Sequence, residues 1–358
     1  MKYFWPIFLL FTLVVREIFK MHPAWTEYVY SRGIFQVVRY LFDYLTGWLP
    51  FPLTYVLFGV VLWKFFAGIR YLFFIGEPVF LQRLAHSSWK IFIFGCGAIS
   101  VFFWIWGFNY ARIPIEQHLN LPKITFQIAD IKTALDTQTQ VVLLLRPQLQ
   151  ADSSQPVLNE WSVTALEGSI RGDVARTLAQ MGYPTPGRIR GRQPFWEGFL
   201  MRFGALGIYN PFTGESNIDR GIHFLAKPEN LAHEFVHGYG FGDEGTCNFV
   251  AYIALQQSDQ LPLRYAAELS FWRDLAIAYR QKKPDEYARF RETLPTGFRA
   301  DLDLINQKTA RYPAYFAAFR YKIYDQYLKT QGIPEGMENY QKVIPMVLAY
   351  RRRIPSGD

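Results

Sequence analysis

The chain has 358 residues, half of them apolar and 18% aromatic, with only 19% charged, a composition heavy for a wholly soluble protein. That length accommodates one membrane module and one globular domain. The net charge of +8 is spread along the chain without a recognisable binding fold or basic stripe, which argues for lipid head groups rather than nucleic acid as partners. Cys96 and Cys247 are the two cysteines, too few for a disulfide framework.

Tyr3 to Val15 is apolar up to Arg16 and Glu17. No small-residue cleavage site follows, so a span over about 3–19 is expected to remain as an anchor. Residues 22–48 carry Tyr28, Ile34, Val37, Val38, Leu41, Tyr44 and Leu45 at amphipathic helical spacing, which predicts packing on the membrane surface or the later domain. A second span is expected over 51–69, where Lys64 can snorkel, and residues 70–90 read as a connector. The third, 91–110, contains no charge and is flanked by Trp89, Trp104, Trp106 and Tyr110 as interfacial aromatics. Residues 1–112 are therefore expected to form a membrane module in the cell membrane. Lys2 followed at once by an apolar run resembles a signal anchor, which predicts an extracytoplasmic domain over 113–358.

In that domain, helices are expected at 126–147 and at 162–181, with Ser162 as cap and Gly182 and Pro184 closing. Residues 183–227 hold short β pieces, ALGIYN and SNIDRGIHF, joined by a PFTGE turn. Helical spacing returns at 262–282, 284–293, 298–309, 312–330 and 337–352. The fold expected is mainly α, with a small β element.

Residues 230–254 read NLAHEFVHGYGFGDEGTCNFVAYIA. His233 and His237 lie four apart, so a helix aims both imidazoles at one point. Glu234 then stands where an H-E-x-x-H peptidase keeps its general base. Pro228 and Glu229 suit the first turn; Gly238, Gly240 and Gly242 end the helix. Asp243 can cap a second helix that carries Glu244 and Asn248 on one face. Glu244 would thereby return as third ligand of a Zn2+ ion whose fourth position stays open. The plainer alternative is a solvated helix. Cys247 reads as a small core residue.

The run HEFVHGYGFGDEGTCNFVAYIA resembles the signature of a bacterial family of membrane-anchored zinc metallopeptidase-like proteins, catalogued as a domain of unknown function. WLPFPL, WGFNYARIP, YNPFTGESN, YDQYLKTQG and NYQKVIPMVLAY extend that resemblance over most of the chain. More distantly it is similar to the gluzincin peptidases, in which H-E-x-x-H is followed by E-x-x-x-D. The resemblance implies a zincin-like domain acting on a peptide or protein substrate. It makes Glu244 the third ligand, with Asn248 where the Asp would orient a ligand His. Thr246 departs from the pattern, occupying a position usually acidic. Tyr340, in NYQKV, is the candidate oxyanion donor. In such peptidases a strand borders the cleft, which makes Asn210 to Asn217 the candidate substrate edge, through Asn210, Gly214, Glu215 and Asn217. The competing expectation is a non-catalytic, membrane-tethered binding or assembly protein whose metal site is degenerate or structural.

Overall fold

A computed structural model describes residues 3–73, 80–123, 125–158, 161–194 and 196–353, and the fold is mainly α-helical. The chain divides into two units. One comprises Met1–Ile113 with Pro186–Arg188 and Asn210–Glu215; the other comprises Pro114–Thr185, Ile189–Tyr209 and Ser216–Asp358.

The first unit is built from α1 (Phe4–Met21), α2 (Phe35–Thr46), α3 (Leu53–Phe73) and α4 (Phe80–Ile105). Among the described residues, two stretches, Leu53–Tyr71 and Leu81–Ile105, are long and apolar enough to cross a membrane. α1 is not among them, because Arg16, Glu17 and Lys20 crowd its last turns. It packs along α4: Trp5 lies 3.1 Å from the position a Cβ on Gly97 would take, and Trp104 Nε1 donates to Thr12 Oγ1 at 3.1 Å. The expected connector over 70–90 is much shorter. α3 runs to Phe73 and α4 already begins at Phe80, because the polar residues from Gln82 to Lys90 continue a helix as readily as a loop; residues 74–79 lie outside those described.

Residues 22–48 contain a π-helix, Thr26–Ile34, ahead of α2. Its wide register, with partners five apart, pairs Glu27 with Arg32 at 2.8 Å. Arg112 also meets the buried Glu27 carboxylate through two bonds of 2.8 Å. Glu215 holds the start of α3, its carboxylate accepting from Leu53 N at 2.9 Å and from Thr54 N and Oγ1 at 3.0 Å each. A fully buried carboxylate at a helix N-terminus makes charge-assisted bonds with donors that lack helical partners. Glu215→Ala is expected to cost about 2 kcal/mol, read as a lower melting temperature in detergent. An unchanged melt would mean that these bonds contribute nothing net.

The second unit contains α5 (Ile128–Leu145), α6 (Val163–Gln180), α7 (Lys227–Gly238), α8 (Glu244–Gln256), α9 (Leu261–Lys282), α10 (Pro284–Glu292), α11 (Thr296–Ala310), α12 (Ala317–Gln331) and α13 (Val343–Arg353). Ser162 caps α6 by accepting from Ala165 N at 3.1 Å. A three-stranded sheet has the order β1-β3-β2, with β1 at Arg190–Arg192, β2 at Gly207–Asn210 and β3 at Glu215–Ile218. Phe249 to Leu255 are all buried, so α8 is apolar around its circumference and forms the centre of the core.

Candidate metal centre

α7 starts with Pro228 in its first turn and ends at Gly238; Gly240, at φ +86°, reverses the chain. Asp243 caps α8 through Thr246 N at 2.7 Å. Two antiparallel helices joined by so short a turn bring Glu244 back over His233 and His237. His233 Nε2 and His237 Nε2 are 3.0 Å apart, and Glu244 Oε2 lies 3.1 Å from the first and 3.3 Å from the second. Ligand atoms 2.0–2.1 Å from a tetrahedral zinc are separated by about 3.3 Å, so these three atoms fit such an ion.

The remaining ring nitrogens are held from behind. His233 Nδ1 bonds to Asn248 Oδ1 at 2.6 Å and His237 Nδ1 to the Phe241 carbonyl at 2.7 Å. With both Nδ1 atoms bonded to oxygen acceptors, both Nε2 atoms face the same point, where their lone pairs would be available to an ion. Cys247 is fully buried, its Sγ 3.4 Å from His237 Nδ1 and 3.6 Å from the Phe241 carbonyl. The thiol read from sequence as a core residue therefore also completes a buried His233/His237/Cys247 cluster capable of coordinating a metal ion.

Glu234 faces the same space. Burial raises its pKa, against the opposing pull of both histidines, and the Tyr209 N–H bonds to its carboxylate. Its Oε2 is buried without a hydrogen-bond partner, an unsatisfied acceptor where a ligand would sit. Burial works against charge on His233, His237 and Glu244 alike. The pairing of Glu244 with the two histidines outweighs it for the carboxyl, held well below its ordinary range, and for His233, held above its own; His237 is raised well above its range by Cys247 and Glu244. Burial pushes the Cys247 thiol up to about 12.

Other elements converge on this pair of helices. Asn339 accepts from Gly245 N at 2.8 Å and donates to Asp243 Oδ2 at 2.7 Å. Gly245 permits that approach: a Cβ there would lie 2.7 Å from the Asn339 carbonyl. The Tyr340 ring lies parallel to that of His233, centroids 6.3 Å apart. Tyr324 Oη donates to Glu244 Oε1 at 2.7 Å. On the other side Gly207 opens β2; a Cβ there would lie 2.6 Å from Glu234 Oε1.

The proposed substrate-edge residues occupy different settings. Asn210 closes the hairpin turn, accepting from Thr213 N and Gly214 N through its carbonyl and from Phe212 N through its side chain. Gly214 has φ +65°, and the Glu215 carboxylate is engaged by the start of α3. Asn217 is buried and donates to the Ile208 carbonyl at 3.4 Å. His223 caps a short 3-10 turn through Leu225 N, and burial lowers its pKa to about 4.

Gly207 was missed in the sequence, although a glycine opening a strand is a weak signal of close backbone approach. Tyr324 lies in the YDQYLKTQG stretch that carries the resemblance, but nothing in the sequence paired it with Glu244.

The chain belongs to the family described as protein of unknown function DUF3810, whose pattern it matches over residues 30–348. No functionally curated protein and no solved structure matches it.

Proposed function

We propose that the protein is a membrane-anchored zinc metallopeptidase whose ion is held by His233, His237 and Glu244. One observation carries this reading: three ligand atoms converge within 3.0–3.3 Å of one another beside the unpartnered Oε2 of Glu234. Zinc bound there would polarise a scissile carbonyl and lower the pKa of a coordinated water. Glu234, whose Oε2 faces the same space, would serve as the base and then the acid of the reaction, taking up a proton and passing it to the leaving amine. Asn248 and the Phe241 carbonyl fix the tautomers of the two histidines. Tyr340, beside His233, donates to the developing oxyanion.

β2 lies at the edge of its sheet, with Gly207 against Glu234 and Ile208 half exposed. Such an edge can pair with an extended peptide through backbone hydrogen bonds. Asn210, Gly214, Glu215 and Asn217 set the turn and register of that hairpin. Two helices of spanning length support attachment to the cell membrane; the span over 3–19 and the extracytoplasmic side belong to the same proposal.

Cys247 supports a second reading. A buried His/His/Cys set with Glu244 as a fourth ligand would suit a closed structural ion in a tethered binding or assembly protein, and Thr246 lacks the acid usual at that position. The experiment that separates them exposes the zinc-loaded, detergent-purified protein to a broad peptide library. The peptidase reading expects cleavage that a chelator abolishes and added zinc restores. Stoichiometric zinc with no cleavage of any peptide would favour the structural ion.

A further inference from the structure

Glu244 has two carboxylate oxygens, and the site uses them differently. Oε2 faces both histidine Nε2 atoms, while Oε1 accepts from Tyr324 Oη at 2.7 Å. Tyr324 lies 80 residues further along, on α12. That helix is lightly packed over its first two turns: Phe316 beside it, and Phe319, Tyr321 and Ile323 on it, are all exposed. Packing is tighter at its C-terminal end, where Leu328 and Gln331 are buried and Asp325 accepts from Met337 N at 3.0 Å. Tyr324 is itself 37% exposed, with its hydroxyl turned onto the carboxylate.

We infer that Tyr324 is a positioning residue for Glu244, holding the carboxylate so that a single oxygen is presented to the metal. This rests on the zinc site proposed above. A carboxylate free to turn about its last bond can offer either oxygen or both to an ion, or neither. A donor fixed on Oε1 removes that freedom and leaves Oε2 aimed at the ion. Outer partners of this kind typically alter metal affinity by about 10–100-fold. The hydroxyl also bonds that of Tyr340, which itself reaches Glu244; an effect on the metal exerted through the carboxylate disappears when Glu244 does.

The test is zinc affinity, measured by competition with a chromogenic chelator on full-length protein in detergent. Tyr324→Phe removes only the hydroxyl and is expected to weaken zinc binding about tenfold. In a Glu244→Ala background the same change is expected to add nothing, the non-additivity of two residues acting as a unit. Unchanged affinity in Tyr324→Phe would overturn the inference. So would an equal loss with and without Glu244, which would mark a purely structural role. Wild-type protein that takes up no zinc would remove the metal site itself, and with it both this inference and the peptidase reading.

Discussion

Glu234→Gln is expected to lower peptide hydrolysis by about 1,000-fold while leaving bound zinc at the wild-type level. The side chain is only 6% exposed, its Oε2 has no partner, and the Tyr209 N–H fixes the carboxylate from the strand side. Glutamine keeps the volume and an acceptor for that N–H, so neither packing nor the three ligands are disturbed. What it lacks is a site for the proton. A thousandfold loss corresponds to about 4 kcal/mol of transition-state stabilisation, well within what a positioned base supplies. Steady-state kinetics beside zinc content checks this: kcat should fall with little change in KM. Retained activity would remove Glu234 as the base. Activity and zinc lost together would make it a structural support.

A comparable effect on stability is expected at a buried ion pair of the second unit. Asp301 is fully buried and accepts from Arg146 Nε at 2.8 Å, Val157 N at 2.7 Å and Tyr265 Oη at 3.3 Å. These bonds tie the end of α5 and the loop after it to α9 and α11. Removing one partner strands the other charge in the core, so Asp301→Ala is expected to cost about 3–5 kcal/mol. Replacing both members with apolar residues, Arg146→Met with Asp301→Leu, should recover much of that loss, since the desolvation cost of the pair disappears too. Denaturant unfolding followed by far-ultraviolet circular dichroism reads both variants. A single variant as stable as the wild type would show that the ion pair contributes nothing net.

What sequence reasoning could reach was local. The helix holding His233 and His237, the turn after it, the Asp243 cap and the hairpin at 207–218 all follow from capping, glycine placement and periodicity within a few residues. The returning Glu244 followed from the shortness of that turn. Contacts that needed distant segments were hidden. Tyr324 reaches Glu244 across 80 residues, and Asn339 reaches Gly245 across 94; no periodicity couples such positions. In the π-helix at Thr26–Ile34, Glu27 meets Arg112, 85 residues away. Asp301, as a scattered acid without ligand spacing, gave no hint of Arg146. Cys247 was legible as buried, but its closeness to His237 depends on how two helices pack.

In the reading proposed above, His233, His237 and Glu244 hold zinc. The most direct measurement is the metal content of the detergent-purified protein by elemental mass spectrometry, beside His237→Ala, Glu244→Ala and Cys247→Ser. Near-stoichiometric zinc that is lost in the first two variants and kept in the third is the predicted result. Zinc kept without Glu244 and lost without Cys247 would contradict it and place the ion in the His/His/Cys cluster. A wild type that takes no zinc even when it is supplied would leave a membrane-tethered protein without the centre proposed for it.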